Sequence, residues 1–209
     1  MTLYERYNTG ENDHQLCDGS GWCAQRITIG STGTNENFTL TSIKLRLFRS
    51  GTVSTVTCYL YAVDTSTHKP TGSPLATGTI NGNDCTTSSA GAYYEFTMDS
   101  SYTCVASTHY AIVLKSEGAI YWKCVWASGS YTDGEFQVSS TEGVVWVLYT
   151  AADFMFEVYG TPAATGTNFQ INVGDAWKSV TDISVNVGDA WKPVTSALIN
   201  VGDTWKTIF

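Results

Sequence analysis

One heptapeptide occurs three times at the end of this chain. Asn172-Val173-Gly174-Asp175-Ala176-Trp177-Lys178 returns as Asn186-Val187-Gly188-Asp189-Ala190-Trp191-Lys192 and again as Asn200-Val201-Gly202-Asp203-Thr204-Trp205-Lys206, each copy fourteen positions after the last. A strict short period demands one small structural unit used repeatedly. The unit reads as a β-hairpin. Ile171 and Val173 alternate with polar residues, Gly174-Asp175 is a two-residue turn, and Trp177 and Val180 lie on the return strand. Glycine as first loop residue suits a type II′ turn, because it tolerates positive φ.

In that register Ile171, Val173, Ala176, Lys178 and Val180 share one face, with Asn172 opposite Trp177 on the other. The second copy sets Ile183, Val185, Val187 and Val194 against Asn186 and Trp191. The third sets Ile199, Val201 and Ile208 against Asn200 and Trp205. A hairpin of this size is marginal alone in water, so these apolar faces must pack on something. The candidates are one another, the preceding domain, or the tails of other subunits. The repeats thus read as a meander that closes the fold, as an assembly or docking module, or as a ligand site, and assembly is the favoured reading.

The 209 residues allow one domain of about 150 residues plus this appendage. The expected division is a polar, irregular lead-in at 1–20, a β-domain at 21–160, a small-residue linker at 161–167 and the repeats at 168–209. The net charge of −8 argues against nucleic acid or an anionic membrane as partner. Only about one unit of it lies in the tail, where Lys178, Lys192 and Lys206 nearly balance Asp175, Asp182, Asp189 and Asp203. The first residues carry no apolar segment of the signal-peptide kind, and no apolar run is long enough to span a bilayer.

Ten strand candidates precede the tail, at 22–29, 38–48, 53–64, 75–80, 92–98, 110–115, 119–127, 135–138, 144–149 and 154–159. Turn clusters such as Gly30-Ser31-Thr32-Gly33 and Asn81-Gly82-Asn83-Asp84 separate them. Short strands at regular intervals, with no helix pattern, point to an all-β antiparallel sandwich or barrel. Alternation is clearest in Ile43-Lys44-Leu45-Arg46-Leu47, as in a sheet wet on one side.

None of the six cysteines belongs to a CxxC pair or a zinc-type cluster. Cys58 and Cys124 share strand faces with apolar residues and read as core. Cys17 and Cys23 flank Gly19 and Gly21 and are candidates for a local disulfide. Cys85 and Cys104, near strand ends, are a second candidate pair, in each case given an oxidising destination.

Residues of about 20–160 resemble the jelly-roll-type β-sandwich of phage and other viral structural proteins and of some bacterial surface proteins. The resemblance is carried by the ordered set Trp22-Cys23-Ala24-Gln25-Arg26-Ile27-Thr28, Thr41-Ser42-Ile43-Lys44-Leu45-Arg46-Leu47, Thr55-Val56-Thr57-Cys58-Tyr59-Leu60-Tyr61, Thr108-His109-Tyr110-Ala111-Ile112-Val113-Leu114 and Asp153-Phe154-Met155-Phe156-Glu157-Val158-Tyr159-Gly160. The tail is similar to the tandem Val-Gly-Gly-x-Trp-Lys hairpins that end phage-encoded proteins, with Asp in place of the second glycine. The resemblance implies a virion or surface structural role, and the favoured reading is a non-enzymatic virion protein, a phage capsid decoration, vertex or tail-associated component assembled in the host cytoplasm. On the reading of the repeats as an assembly module, the expected partners are copies of the same chain, a trimer being favoured, and other virion proteins. Trp177, Trp191, Trp205, Val173, Val187, Val201, Ile171 and Ile199 would form the interface. The resemblance brings no catalytic residue.

The residues agree with that absence of chemistry. His14, His68 and His109 stand in no motif, and no nucleophile elbow, zinc-binding helix or phosphate loop is present. Asp153 and Glu157 share strand parity and read as solvated. No spacing supports a calcium ion at Asp64 or Asp84, and no metal or cofactor is expected. The alternative function is carbohydrate binding by an extracellular or cell-surface module. Trp122, Trp126 and Tyr131 would stack on a glycan, although Trp122 and Trp126 share parity with Ile120 and Cys124 and suit a core better.

Overall fold

The structure, a computed structural model, describes residues 1–132 and 134–163 with their side chains, and the backbone of six short strands between 170 and 207. It divides into two compact units, Met1–Ala163 and Ala164–Phe209.

The first unit is two antiparallel sheets in a sandwich-like arrangement. Its strands are β1 (Thr2–Tyr7), β2 (Asp13–Cys17), β3 (Trp22–Thr28), β4 (Phe38–Arg49), β5 (Thr55–Val63), β6 (Pro70–Asn81), β7 (Ala92–Cys104), β8 (His109–Ser116), β9 (Ile120–Val125), β10 (Glu135–Ser139), β11 (Val147–Tyr149), β12 (Asp153–Phe154) and β13 (Phe156–Pro162). The helical element among the described residues is a single 3₁₀ turn at Gly82–Asp84.

The seven-stranded sheet is built on β4. One side of β4 pairs with β7, and the other pairs with β13 and then, at Leu47–Arg49, with β9. Inward positions on β4 are Phe38 and Leu40, then Ile43, Leu45 and Leu47. The phase slips by one residue at the bulge against β7 between Leu40 and Ser42, as an extra residue in a strand must cause. Lys44 and Arg46 point outward and pair with Glu95 and Glu11. A second bulge, at Tyr159/Gly160 on β13, brings Gly160 so near β4 that a Cβ there would lie 2.4 Å from the Phe38 ring.

The six-stranded sheet runs β11-β10-β3-β8-β5-β6. An aromatic stack crosses the core: Trp122 of β9 lies 4.1 Å from Phe154 of β12, which lies 4.0 Å from Phe136 of β10. Large rings of this kind supply much of the apolar burial of a small sandwich. The six-stranded sheet is also covered in part on its outer face. Ala24, Ala111, Val113 and Trp146 are buried there, with Trp22, Tyr59, Tyr61 and Leu148 packed around them.

Residues 1–20, expected to be irregular, contain β1 and β2. Both add to one edge of the seven-stranded sheet, β1 beside β13 and β2 beside β9. Their polar composition hid them, because the side chains that anchor β1 include an acid. Glu5 is fully buried beside Tyr4.

In the second unit the backbone forms three two-stranded ladders: Gln170–Val173 with Ala176–Ser179, Ser184–Val187 with Ala190–Pro193, and Leu198–Val201 with Thr204–Thr207. Asn172 pairs with Trp177, Asn186 with Trp191 and Asn200 with Trp205. The expected turns at 174–175, 188–189 and 202–203 lie outside the described residues, as do the connections between ladders.

Candidate functional site

The most exposed apolar surface among the described residues lies along β11. Residues 144–149 read Val-Val-Trp-Val-Leu-Tyr, six apolar residues without a charge, glycine or proline. Trp146 turns inward onto the outer face of the six-stranded sheet, which leaves Val144, Val145 and Val147 exposed at 81%, 57% and 51%. Among the described residues β11 pairs on one side only, with β10, through Phe136–Tyr149, Gln137–Leu148 and Val138–Val147.

Trp126 extends this surface. Its ring sits 5.3 Å from that of Tyr149, and both meet the buried Phe136 ring edge-on. The Asn12 side chain fixes the Trp126 backbone, accepting from its amide at 2.8 Å and donating to its carbonyl at 3.4 Å. Ala127 then takes a left-handed φ of 61° and turns the chain away. A hollow of about 350 Å³ opens between Trp126, Leu148, Tyr149 and Thr150. A second, of about 420 Å³, lies on the other side of β11 between Gln15, Leu16, Trp22, Val138 and Val147.

The buried acids are committed to the fold. Glu5 accepts from the Gly30 and Thr32 amides at 2.8 Å each and from the Thr32 hydroxyl, which ties the 30–34 loop to β1. That loop passes so close that a Cβ on Gly33 would lie 1.9 Å from the Tyr4 carbonyl oxygen. Asp153, expected to be solvated, is 3% exposed; it accepts from Gln25 Nε2 at 2.9 Å and from the Tyr131 amide at 3.0 Å. Burial pushes its carboxyl up to about 6, against the opposing pull of those two hydrogen bonds. Glu135 lies 3.5 Å from Arg26 Nε and 3.1 Å from His68 Nδ1, while Gln137 donates to the His68 carbonyl at 2.7 Å. These contacts hold the 64–69 loop on the sheet. The Asp64 carboxylate caps the same loop by accepting from the Ser66 and Thr67 amides, which hold its carboxyl below the usual aspartate value. No group of three His, Cys, Asp or Glu side chains that could cage a metal occurs among the described residues.

The expected glycan platform is not assembled. Trp122 is fully buried and donates from Nε1 to the Met155 carbonyl at 2.8 Å. Tyr131 is also buried, its hydroxyl donating to the Thr28 carbonyl at 3.1 Å. Strand parity holds as far as Val125, where β9 ends, so Trp122 follows Ile120 and Cys124 inward and Trp126 alone of the three remains exposed. The neighbour that Trp126 does have, Tyr149, is on an expected strand and carries no functional signal in the sequence beyond the uninterrupted apolar run.

Cys17 and Cys23 form a disulfide across the Asp18–Gly21 bridge. The pairing expected of Cys85 with Cys104 is absent: both are free and buried. Cys104 lies opposite Phe38 in the β4–β7 ladder, whereas Cys85 follows the 3₁₀ turn and its carbonyl accepts from Arg49 Nε at 2.9 Å. One thiol is on a strand and the other after a turn, and burial raises the pKa of Cys85 to about 11 and that of Cys104 to about 12.

Of the expected interface residues, Ile171, Val173, Trp177, Val187, Trp191, Ile199, Val201 and Trp205 each fall on a strand of a repeat ladder. Their side chains lie outside the described residues. No helix among the described residues is long and apolar enough to cross a membrane. No protein-family model matches the chain, and no curated protein sequence matches it.

Proposed function

We propose that this chain is a non-enzymatic structural protein of a phage particle, a jelly-roll-type sandwich that assembles through its C-terminal repeats. The carrying observation is the repeat itself: three copies of one heptapeptide at a spacing of fourteen residues, on ladders of identical register. Strands of four residues in pairs bury too little surface to stand alone, so three equal units make three equal docking surfaces. A self-assembled trimer is the favoured arrangement, with other virion proteins as further partners. The commitment of Glu5, Asp153 and Glu135 to loop anchoring supports a scaffold role.

Light scattering on the full chain and on a chain ending at Ala163 tests the reading. The mass per chain length should fall threefold when the repeats are removed. Equal oligomeric states with and without them would sink it.

A further inference from the structure

We infer that β11 is a second self-association surface, on which two copies of this chain join edge to edge. The proposal is independent of the repeats and rests on the sandwich.

A free strand edge carries unpaired amide and carbonyl groups and invites another strand, so folded proteins protect such edges with charge, proline or short twisted strands. The opposite edge of the same sheet is protected in this way: β6 carries Pro70, Gly72, Pro74 and Gly78. β2, an edge of the other sheet, carries Asp13 and His14. β11 has neither charge nor proline and is guarded only by its length, the three residues Val147–Tyr149. Its run from Val144 to Tyr149 has high β-propensity and no charge, the composition that pairs most readily with another strand.

The occupant is a second copy because the edge is complementary to itself. An antiparallel pair centred on Leu148 sets Val147 of each copy opposite Tyr149 of the other, a β-branched residue against an aromatic ring twice over. Such a contact is isologous and closes at two copies. Charge selects the same face. Each copy carries a net charge of −8, which opposes close approach over most of the surface. From Phe136 to Ala152 the only carboxylate is Glu142, with Asp18 across the hollow beside Val147, so this edge brings two acidic chains together against few local charges. The Trp126 ring, beside Tyr149, would be covered in the same contact.

The test is sedimentation velocity of the full chain over a wide concentration series, beside the variant Val147→Lys. Val147 is half exposed, so a melting curve matching the unsubstituted chain would show that the fold is kept. A doubling of mass with concentration is expected for the unsubstituted chain, and the lysine should weaken it by at least about tenfold, because it places two cations at one edge pair. Hydrogen exchange supplies a second readout: amides 147–149 should gain protection as concentration rises, and lose that gain in the variant. Absence of doubling, or doubling that survives Val147→Lys with unchanged exchange, overturns the proposal. So does a chain that never doubles but binds a glycan through Trp126.

Discussion

Gln25 and Asp153 stand 128 residues apart in sequence, yet Gln25 Nε2 donates to Asp153 Oδ1 at 2.9 Å in a site closed to solvent. The other end of the same amide accepts from the Phe154 backbone at 2.7 Å. One glutamine on β3 therefore sews the two sheets together and holds an acid that burial discourages from ionising.

That acid gives the fold a pH dependence of known sign. The Asp153 pKa of about 6 lies above the ordinary aspartate value near 4. The folded chain therefore keeps a proton that the unfolded chain has released. The contribution is complete below about pH 4 and is lost as pH rises through about 6, on the order of 3 kcal/mol in all. Denaturant unfolding of the unsubstituted chain and of Asp153→Asn should converge or cross as pH rises through this window. Parallel stability profiles would show that Asp153 titrates normally.

Glu5 should matter through the loop that it holds. Glu5→Ala leaves the Gly30 and Thr32 amides without their acceptor, which should cost about 2–4 kcal/mol. Glu5→Gln keeps one acceptor oxygen and should cost less. Limited proteolysis should cut the alanine variant first within 30–36. A variant as resistant as the unsubstituted chain would mean that the loop is held by other contacts.

The two tryptophans of the β9 region should separate cleanly. Trp122→Ala removes a buried ring and its hydrogen bond to Met155 and should cost about 3–5 kcal/mol. Trp126→Ala removes a half-exposed ring and should stay within about 1 kcal/mol. Similar losses from both would show that Trp126 is covered in solution, and a loss that grows with concentration would point to the β11 contact.

Cysteine chemistry should divide four to two. Cys58, Cys85, Cys104 and Cys124 are buried with raised pKa values, so an aqueous thiol reagent should modify none of them until the chain unfolds. Reduction of Cys17–Cys23 opens a short loop and should cost about 2 kcal/mol. Cys17 and Cys23 are just as buried, so fast labelling of Cys58, Cys85, Cys104 or Cys124 in the folded chain is the result that would contradict this burial.

The all-β, two-sheet character was readable because strand periodicity is local. Ile43, Leu45 and Leu47 announce their face through their neighbours Lys44 and Arg46. What failed was whatever depends on distant partners. β1 carries Glu5 on a buried position, and nothing near it in sequence shows that the Gly30–Thr32 loop will satisfy that acid. Asp153 looked solvated because its covering residues, Gln25 and Tyr131, come from other elements. The parity that pairs Trp126 with Trp122 ends one residue earlier, at Val125. The apolar run at 144–149 reads as a strand, of which Val147–Tyr149 forms, but sequence does not say whether a strand is central or at an edge, and the exposed surface follows from that distinction.

The pairing of β1 with β13 also decides how the sandwich answers a pull. Thr2 lies opposite Gly160, and the rungs that follow are Leu3–Tyr159, Glu5–Val158 and Arg6–Glu157. The first and last strands of the unit thus leave from the same end of one antiparallel ladder, with β1 outermost. Tension between residues 2 and 163 does not shear all the rungs together. It loads Thr2–Gly160 alone, then the next, so the strands part like a zip at low force, and the corner where both ends emerge is where mechanical unfolding begins.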